Sequence, residues 1–246
     1  MIEENQIHAL EDVLQNREYE LQAHAFGHFS RTAKGTDVFI QTAEKETKNL
    51  AYVVGLLHEE REDRIEETLL PIGLSHEDVS KVIYSVHMTH KKSYVPNRVA
   101  RAVHYSNKIL EGDGAYIVFR RCHFCGESKK YRGWKATDAI TERFRNLKNK
   151  PNNLPLFTEI LVREQIKWSG RFLEAIESKE AWALDMGERL FLEGRARNDI
   201  ENVVRRFETK TVEQEKFFKE TLDYIEGKKY EEFKNLVFPE IISATL

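Results

Sequence analysis

The chain has 246 residues, of which 32% are charged and 11% aromatic, and its formal net charge at pH 7 is −3. This charge gives no general reason to expect non-specific binding to nucleic acid or membranes, and two cysteines cannot build a disulfide scaffold. The longest apolar run, Ala51–Leu57, is too short to cross a bilayer, and no apolar signal sequence opens the chain. With only 12 glycines and 5 prolines, the composition favours a mainly α-helical protein, and the low cysteine count favours a cytoplasmic one.

Apolar residues recur at helical spacing through the first sixty residues. We expect one helix over about 17–34, with His28 and Arg31 on the same face. Another helix is expected over about 41–58, with an apolar stripe that ends at His58. The acidic stretch that follows is predicted to be a solvated loop or the start of a further helix.

Two more helices are predicted before residue 115. Ser75 and Asp78 have the spacing of a capping box, which predicts that a helix begins there and continues to His90. Pro96 is well placed in the first turn of the next helix, because proline needs no backbone N–H partner at that position. Nearby glycines then end this helix.

The middle of the chain contains the best strand candidate. Tyr116–Phe119 is a run of four β-favouring residues, although so short a run could also be helix. It is followed by a basic stretch, 120–135, that we expect to be a loop. A polar segment with two prolines near residue 151 favours a boundary between structural regions. We therefore predict an N-terminal helical domain over 1–150 and a C-terminal helical extension over 151–246.

Two histidines and a glutamate are candidate metal ligands. His28 lies on one predicted helix, while His58 and Glu59 are adjacent at the end of another. Neighbouring residues at a helix end can face one ion if the last turn unwinds, and two imidazoles with a carboxylate suit a divalent transition metal. The alternative is that His58 is a partly buried imidazole that ends an apolar helix, and that Glu59 begins a charged loop.

The segment His28-Phe-Ser-Arg and, thirty residues later, the segment Leu-Leu-His58-Glu59 resemble the HD-domain superfamily of metal-dependent phosphohydrolases. The likeness covers roughly residues 18–115 and is carried by helix order and spacing more than by identity. It implies an HD-like helical domain with additional C-terminal helices. It also implies a metal site made by His28, His58, Glu59 and Asn107, with Glu59 in a catalytic position.

The same resemblance implies hydrolysis of a nucleotide or a related phosphoester, with a divalent ion (Mn, Fe, Ni, Zn or Mg) as cofactor that activates water. The resemblance places His87 and His90 of this chain where some family members bind substrate or a second metal. It also places Arg31 where it could contact a phosphate. Arg121 and Lys130, in the basic stretch, are further candidate phosphate contacts. The alternatives are a helix-end histidine that interacts with terminal carbonyls, a surface arginine and a solvated charged loop.

Two acids of the family are replaced in this chain. Glu59 stands where an aspartate is expected and still offers an anionic oxygen, one methylene further from the backbone. Asn107 stands where the final aspartate is expected and offers only a neutral carbonyl oxygen, which weakens a site for a hard cation. Two interpretations follow, an active phosphohydrolase or a catalytically inactive HD-like protein that binds a nucleotide or a regulatory partner.

The remaining features bear on partners and on the cysteines. A small phosphoester is the expected ligand, whereas nucleic acid is disfavoured because only the local basic stretch supports it. The C-terminal helices either complete the pocket or form a homodimer. Cys122 and Cys125 form a single Cys-x-x-Cys pair, which is half a zinc site, and two ordinary thiols are favoured over a zinc or redox function.

Overall fold

A computed structural model gives the structure of the protein and describes residues 1–90, 97–110, 114–148 and 159–236. These residues form helices and no strand, which confirms the predicted mainly α class. The α-helices of the described chain are α1 (Glu4–Gln15), α2 (Phe26–Phe39), α3 (Lys45–Leu57), α4 (Glu62–Leu69), α5 (His76–Thr89), α6 (Arg98–Tyr105), α7 (Tyr116–Glu127), α8 (Ala136–Lys148), α9 (Glu159–Glu177), α10 (Ala181–Arg195), α11 (Ile200–Arg205), α12 (Val212–Ile225) and α13 (Lys228–Leu236). None of the helices described is both long and apolar enough to span a membrane.

The chain divides into two compact units. The first unit comprises Met1–Glu18, Phe26–Glu111 and Glu232–Leu246, and the second comprises Tyr19–Ala25 and Gly112–Glu231. The predicted domain boundary between residues 150 and 151 lies outside the residues that the structure describes. The two units separate at other points of the chain, so α7 and α8 belong with the later helices.

Helices α2 and α3 form the centre of the first unit, and their backbones approach closely at a glycine. A Cβ atom on Gly55 of α3 would lie 2.6 Å from the Cα of Ala33 in α2. A second close approach joins α2 to the π-helical segment Ser106–Leu110, where the Ser106 hydroxyl donates a hydrogen bond to the Thr32 carbonyl at 2.6 Å. These contacts set the distance between the side chains at the two helix ends.

In the second unit, α7 lies at the centre of a core rich in aromatic side chains. Gly126 of α7 faces the Phe191 carbonyl of α10, and Gly194 of α10 faces the His123 carbonyl of α7. Because each of these positions would place a Cβ against backbone atoms, only glycine permits α7 and α10 to pack this closely.

The predicted strand at Tyr116–Phe119 is wrong, because these residues form the first turn of α7. All four side chains are buried, with at most 5% exposure. A short, continuously apolar run fits a fully buried helix as well as a buried strand, and periodicity alone does not separate the two. The predicted loop over 120–135 is also wrong in its first part, since α7 continues to Glu127.

Some helix ends in the structure differ from the predicted ones, and others agree. The second helix begins at Phe26 and not near residue 17, because the Glu127 carboxylate accepts hydrogen bonds from the N–H groups of Gln22 and Ala23 and holds that segment in a 3₁₀ turn. Most of the acidic stretch that follows His58 forms helix α4, which begins at Glu62. The predicted start of α5 is confirmed, and Ser75 is its N-cap. Pro96 lies outside the described residues.

The Ser75 cap has two hydrogen bonds. Its hydroxyl accepts from the backbone N–H of Asp78 at 3.1 Å and donates to the Asp78 carboxylate at 2.8 Å. The neighbouring helix α6 begins after a second side-chain cap, in which Asn97 accepts from the N–H of Ala100 at 2.9 Å. Both caps satisfy backbone donors that the first turn of a helix leaves without partners.

Candidate metal centre

The packing of α2 on α3 brings two histidines together. His28 lies in the first turn of α2, and His58 immediately follows α3 as its C-cap residue. Their ring centroids are 5.1 Å apart with an interplanar angle of 59°. His28 is 2% exposed and His58 is 1% exposed. The two imidazoles are therefore held together away from solvent by the helix pair that Gly55 joins.

Glu59 adds a carboxylate to this pair. Its Oε1 atom lies 3.5 Å from His28 Nε2 and 3.7 Å from His58 Nε2. The three donor atoms lie within 4.8 Å of one another, and we call this group the histidine–glutamate cluster. Two ligands bound to one ion at about 2.0–2.2 Å lie roughly 3.0–3.6 Å apart. The cluster therefore fits one transition-metal ion after a small closure.

The hydrogen bonding of His58 leaves one nitrogen available to a ligand. Its Nδ1–H donates to the Gly55 carbonyl at 2.8 Å, which assigns the lone pair to Nε2. That Nε2 atom is buried and has no hydrogen-bond partner in the described part of the chain. Burial and the neighbouring His28 lower the pKa of His58 to about 3, so its imidazole is neutral at physiological pH. An imidazole whose other nitrogen donates to a backbone carbonyl is the usual arrangement of a metal ligand.

His90, at the end of α5, contacts the backbone of the cluster. Its Nε2–H donates to the His58 carbonyl at 2.7 Å. This contact fixes the chain where it turns from α3 towards Glu59, so the structure gives His90 a positioning contact that sequence reasoning missed. His87 lies one turn earlier on α5 and is exposed.

Arg31 and Asn107 lie on the elements that carry or contact the cluster. Arg31 is three residues after His28 on α2 and is only 5% exposed, so it is not a surface arginine. Asn107 is half-buried in the π-helical segment that packs on α2. The contact of that segment with α2 is made by Ser106, whose hydroxyl bonds to Thr32. Asn107 thus lies beside the helix of His28.

Arg121 and Lys130 belong to the second compact unit. Arg121 is part of α7 and is half-buried, whereas Lys130 is exposed in the 3₁₀ turn that follows α7. The Lys130 ammonium pairs with the Glu142 carboxylate at 2.7 Å. The charge of Lys130 is therefore engaged by a neighbouring acid of its own unit.

Both cysteines are buried free thiols of α7. Burial raises the pKa of Cys122 well above its ordinary value and raises that of Cys125 to about 12. Thiols in this state are protonated at neutral pH and are poor metal ligands and nucleophiles. His123, between them, places its Nε2 atom 2.8 Å from the Asn198 carbonyl. These contacts are those of a packed core.

One residue that organises the cluster carried a signal in the sequence. A glycine inside an apolar helix predicts a close approach of another backbone, and Gly55 lies three residues before His58.

Comparison of the chain with protein-family models, with curated proteins and with solved structures finds no match. The geometry of the histidine–glutamate cluster is therefore the observation on which a function is proposed.

Proposed function

We propose that the protein is an HD-like metal-dependent phosphohydrolase that acts on a nucleotide or a related phosphoester. The observation that carries this proposal is the histidine–glutamate cluster, in which a neutral buried imidazole presents a lone pair beside a carboxylate. A buried acceptor without a partner is costly to a folded protein, and a bound cation removes that cost. The resemblance of the segments around His28 and His58 to the HD-domain superfamily supplies the reaction class.

In this proposal His28 Nε2, His58 Nε2 and Glu59 Oε1 hold a divalent ion. Two imidazoles and one carboxylate suit Mn, Fe, Ni or Zn better than Mg, which prefers oxygen ligands alone. When bound, such an ion supplies Lewis-acid polarisation of a phosphoryl group and acidification of water. Glu59 is partly exposed, with a side-chain exposure of 34%, so a phosphoester approaches the cluster from the carboxylate side.

Other residues of the chain have supporting roles in the proposal. His90 holds the backbone carbonyl of His58 and so positions the adjacent carboxylate of Glu59. Arg31 contributes positive charge on the same helix as His28, which favours binding of an anionic phosphate. Asn107, one residue beyond the Ser106 contact with α2, offers a neutral oxygen ligand.

A catalytically inactive HD-like protein that binds a nucleotide or a regulatory partner is the second candidate. The observation that favours it is the low negative charge of the cluster. In the described residues, Glu59 is the one carboxylate that joins the two histidines. The resemblance implies that Asn107 stands where the family has a second acid. A site with one anionic ligand acidifies bound water less than a site with two.

The two candidates are separated by phosphatase assays over a panel of nucleotides with added Mn²⁺. An active wild type whose His58→Ala variant is inactive supports the enzyme, and the exposed His76→Ala variant is the matched control that keeps full activity. Activity that appears only in Asn107→Asp supports the inactive protein. A wild type and an Asn107→Asp variant that neither hydrolyse nor bind a nucleotide contradict both candidates.

A further inference from the structure

The second compact unit contains two arginines that face each other without an acidic partner. Cys125 of α7 lies against α8, with its Sγ atom 3.8 Å from the Ala139 carbonyl. Arg143 lies one turn beyond Ala139, and its guanidinium carbon is 4.9 Å from the centre of the Phe124 ring. Helix α8 therefore runs back along α7.

This antiparallel arrangement places Arg121 and Arg143 at one level. Arg121 is one turn before Cys125 on the same face of α7, just as Arg143 is one turn after Ala139 on α8. The Nε atoms of both arginines are buried and have no hydrogen-bond partner in the part of the chain that the structure describes. We call Arg121 and Arg143 the arginine pair.

No carboxylate in the described residues forms an ion pair with either member of the arginine pair. The nearest acidic neighbour in sequence, Glu142, is occupied by the ammonium of Lys130 and also accepts from the hydroxyl of Tyr131. Burial, together with the nearby charges of Arg143 and Arg120, lowers the pKa of Arg121 below its ordinary value. The pair therefore combines the cost of desolvation with the repulsion of like charges.

We propose that the arginine pair is a binding site for a phosphate-like oxyanion, held between α7 and α8. Guanidinium groups present several N–H donors in a planar fork that matches the oxygens of phosphate, and a single oxyanion would both neutralise the pair and satisfy its buried donors. This site consists of residues of the second unit alone and does not depend on the proposed phosphohydrolase function.

The test is thermal unfolding of the full chain in increasing inorganic phosphate, with chloride adjusted to keep the ionic strength constant. Wild type is expected to gain several degrees in Tm, because a ligand that binds only the folded state stabilises it by mass action. Arg121→Gln and Arg143→Gln are expected to lose this gain. Arg145→Gln is the matched control, since Arg145 is exposed on α8 and paired with Glu177 at 2.7 Å.

A second measurement keeps the test decisive if a variant is less stable than expected. In chloride alone, Arg143→Gln is expected to be at least as stable as wild type, because it removes the repulsion within the pair. A phosphate gain that is equal in wild type and all variants, or that is absent in wild type, overturns the site. A gain that persists in His58→Ala but is lost in Arg121→Gln and Arg143→Gln places binding at the arginine pair, and a gain lost in His58→Ala overturns the assignment.

Discussion

Two histidine–glutamate pairs, each with a buried imidazole, use the same residue types in different surroundings. In the second unit, His123 Nδ1 lies 3.6 Å from Glu127 Oε2, and both side chains are fully buried. The Glu127 carboxylate accepts from the backbone of residues 22 and 23, and His123 Nε2 contacts the Asn198 carbonyl. In the first unit, His58 Nδ1 donates to the Gly55 carbonyl, and the adjacent Glu59 is partly exposed beside two imidazoles. Each pair has one buried imidazole nitrogen without a hydrogen-bond partner in the described residues, Nδ1 of His123 and Nε2 of His58.

The comparison of the two pairs shows that residue type alone does not identify a metal site. What separates the two pairs is the surroundings of the carboxylate. Glu127 is buried beside one imidazole and accepts from two backbone N–H groups, whereas Glu59 is partly exposed and lies beside two imidazoles. Glu127 closes a turn of the backbone, and a cation placed there would compete with hydrogen bonds that the fold needs. The histidine–glutamate cluster combines two imidazoles with a partly exposed carboxylate, which together could hold a metal ion.

The largest expected losses of stability come from the glycines at which the helices that carry each pair approach another helix. Gly55→Ala and Gly126→Ala would each drive a methyl group into backbone atoms, and each is expected to cost about 3 kcal/mol, at the upper end of the usual range for overpacking. Only Gly55→Ala is expected also to weaken metal binding, since it separates α2 from α3. Denaturant unfolding and metal titration measure the two effects.

A control for these variants is Gly170→Ala in α9, where an added Cβ meets no atom within 4 Å. Because alanine is the better helix former, this change is expected to stabilise the protein by up to about 1 kcal/mol. Equal losses of metal affinity in Gly55→Ala and Gly126→Ala would contradict the separate roles of the two helix contacts.

One glutamine substitution in each pair tests the difference between the two carboxylates. Glu127→Gln replaces one accepting oxygen by an NH₂ group and so leaves one buried backbone N–H without an acceptor. It is expected to lower the free energy of unfolding by about 1–3 kcal/mol without changing metal affinity. Glu59→Gln is expected to change stability by less than about 0.5 kcal/mol because the side chain is partly exposed. Its metal affinity is expected to fall by at least about 10-fold, as seen when support of a metal ligand is removed.

Isothermal titration with Mn²⁺ or Zn²⁺ and denaturant unfolding of the same preparations measure both quantities for both variants. The expected pattern is a crossed one, in which each substitution changes the property that the other leaves unchanged. A parallel pattern, with both variants losing stability and neither losing metal affinity, would make the two pairs equivalent and purely structural.

The smallest effect is expected at His104, a half-buried histidine that has no carboxylate partner in the described residues. Burial lowers its pKa, partly offset by a hydrogen bond to the Thr89 carbonyl. The unfolded chain therefore binds this proton more readily, so its contribution to stability is complete above about pH 6.5 and is lost as the pH falls through the folded pKa. His104→Gln is expected to flatten the fall in unfolding midpoint between pH 7 and pH 5. Parallel curves for wild type and variant would refute this role.

Much of the first unit follows from local chemistry in the sequence. The cap at Ser75 and the apolar stripe before His58 are local patterns, and each predicts an element that the structure contains. The start of α2 did not follow, because it depends on Glu127, a residue about a hundred positions away. The strand predicted at Tyr116–Phe119 was wrong for a different reason, since burial on all sides removes the alternation that distinguishes helix from strand.

The candidate site was predictable only in part. The adjacency of His58 and Glu59 and the spacing from His28 indicated the three donors, and the structure brings them together. The contact of His90 with the His58 carbonyl was not predictable, because it depends on where α5 ends in three dimensions. The ion pair between Lys130 and Glu142 was also not predictable, because it depends on how the turn after α7 lies against α8.

The most direct test of the account is the metal content of the purified full chain after loading with Mn²⁺ or Zn²⁺ and removal of free ions. The two substitutions to compare are His58→Ala and His123→Ala, each of which removes one buried imidazole. Stoichiometric metal is expected in wild type and in His123→Ala, and loss of the metal is expected in His58→Ala. A wild type without metal, or a His58→Ala variant that keeps as much metal as wild type, would contradict this expectation.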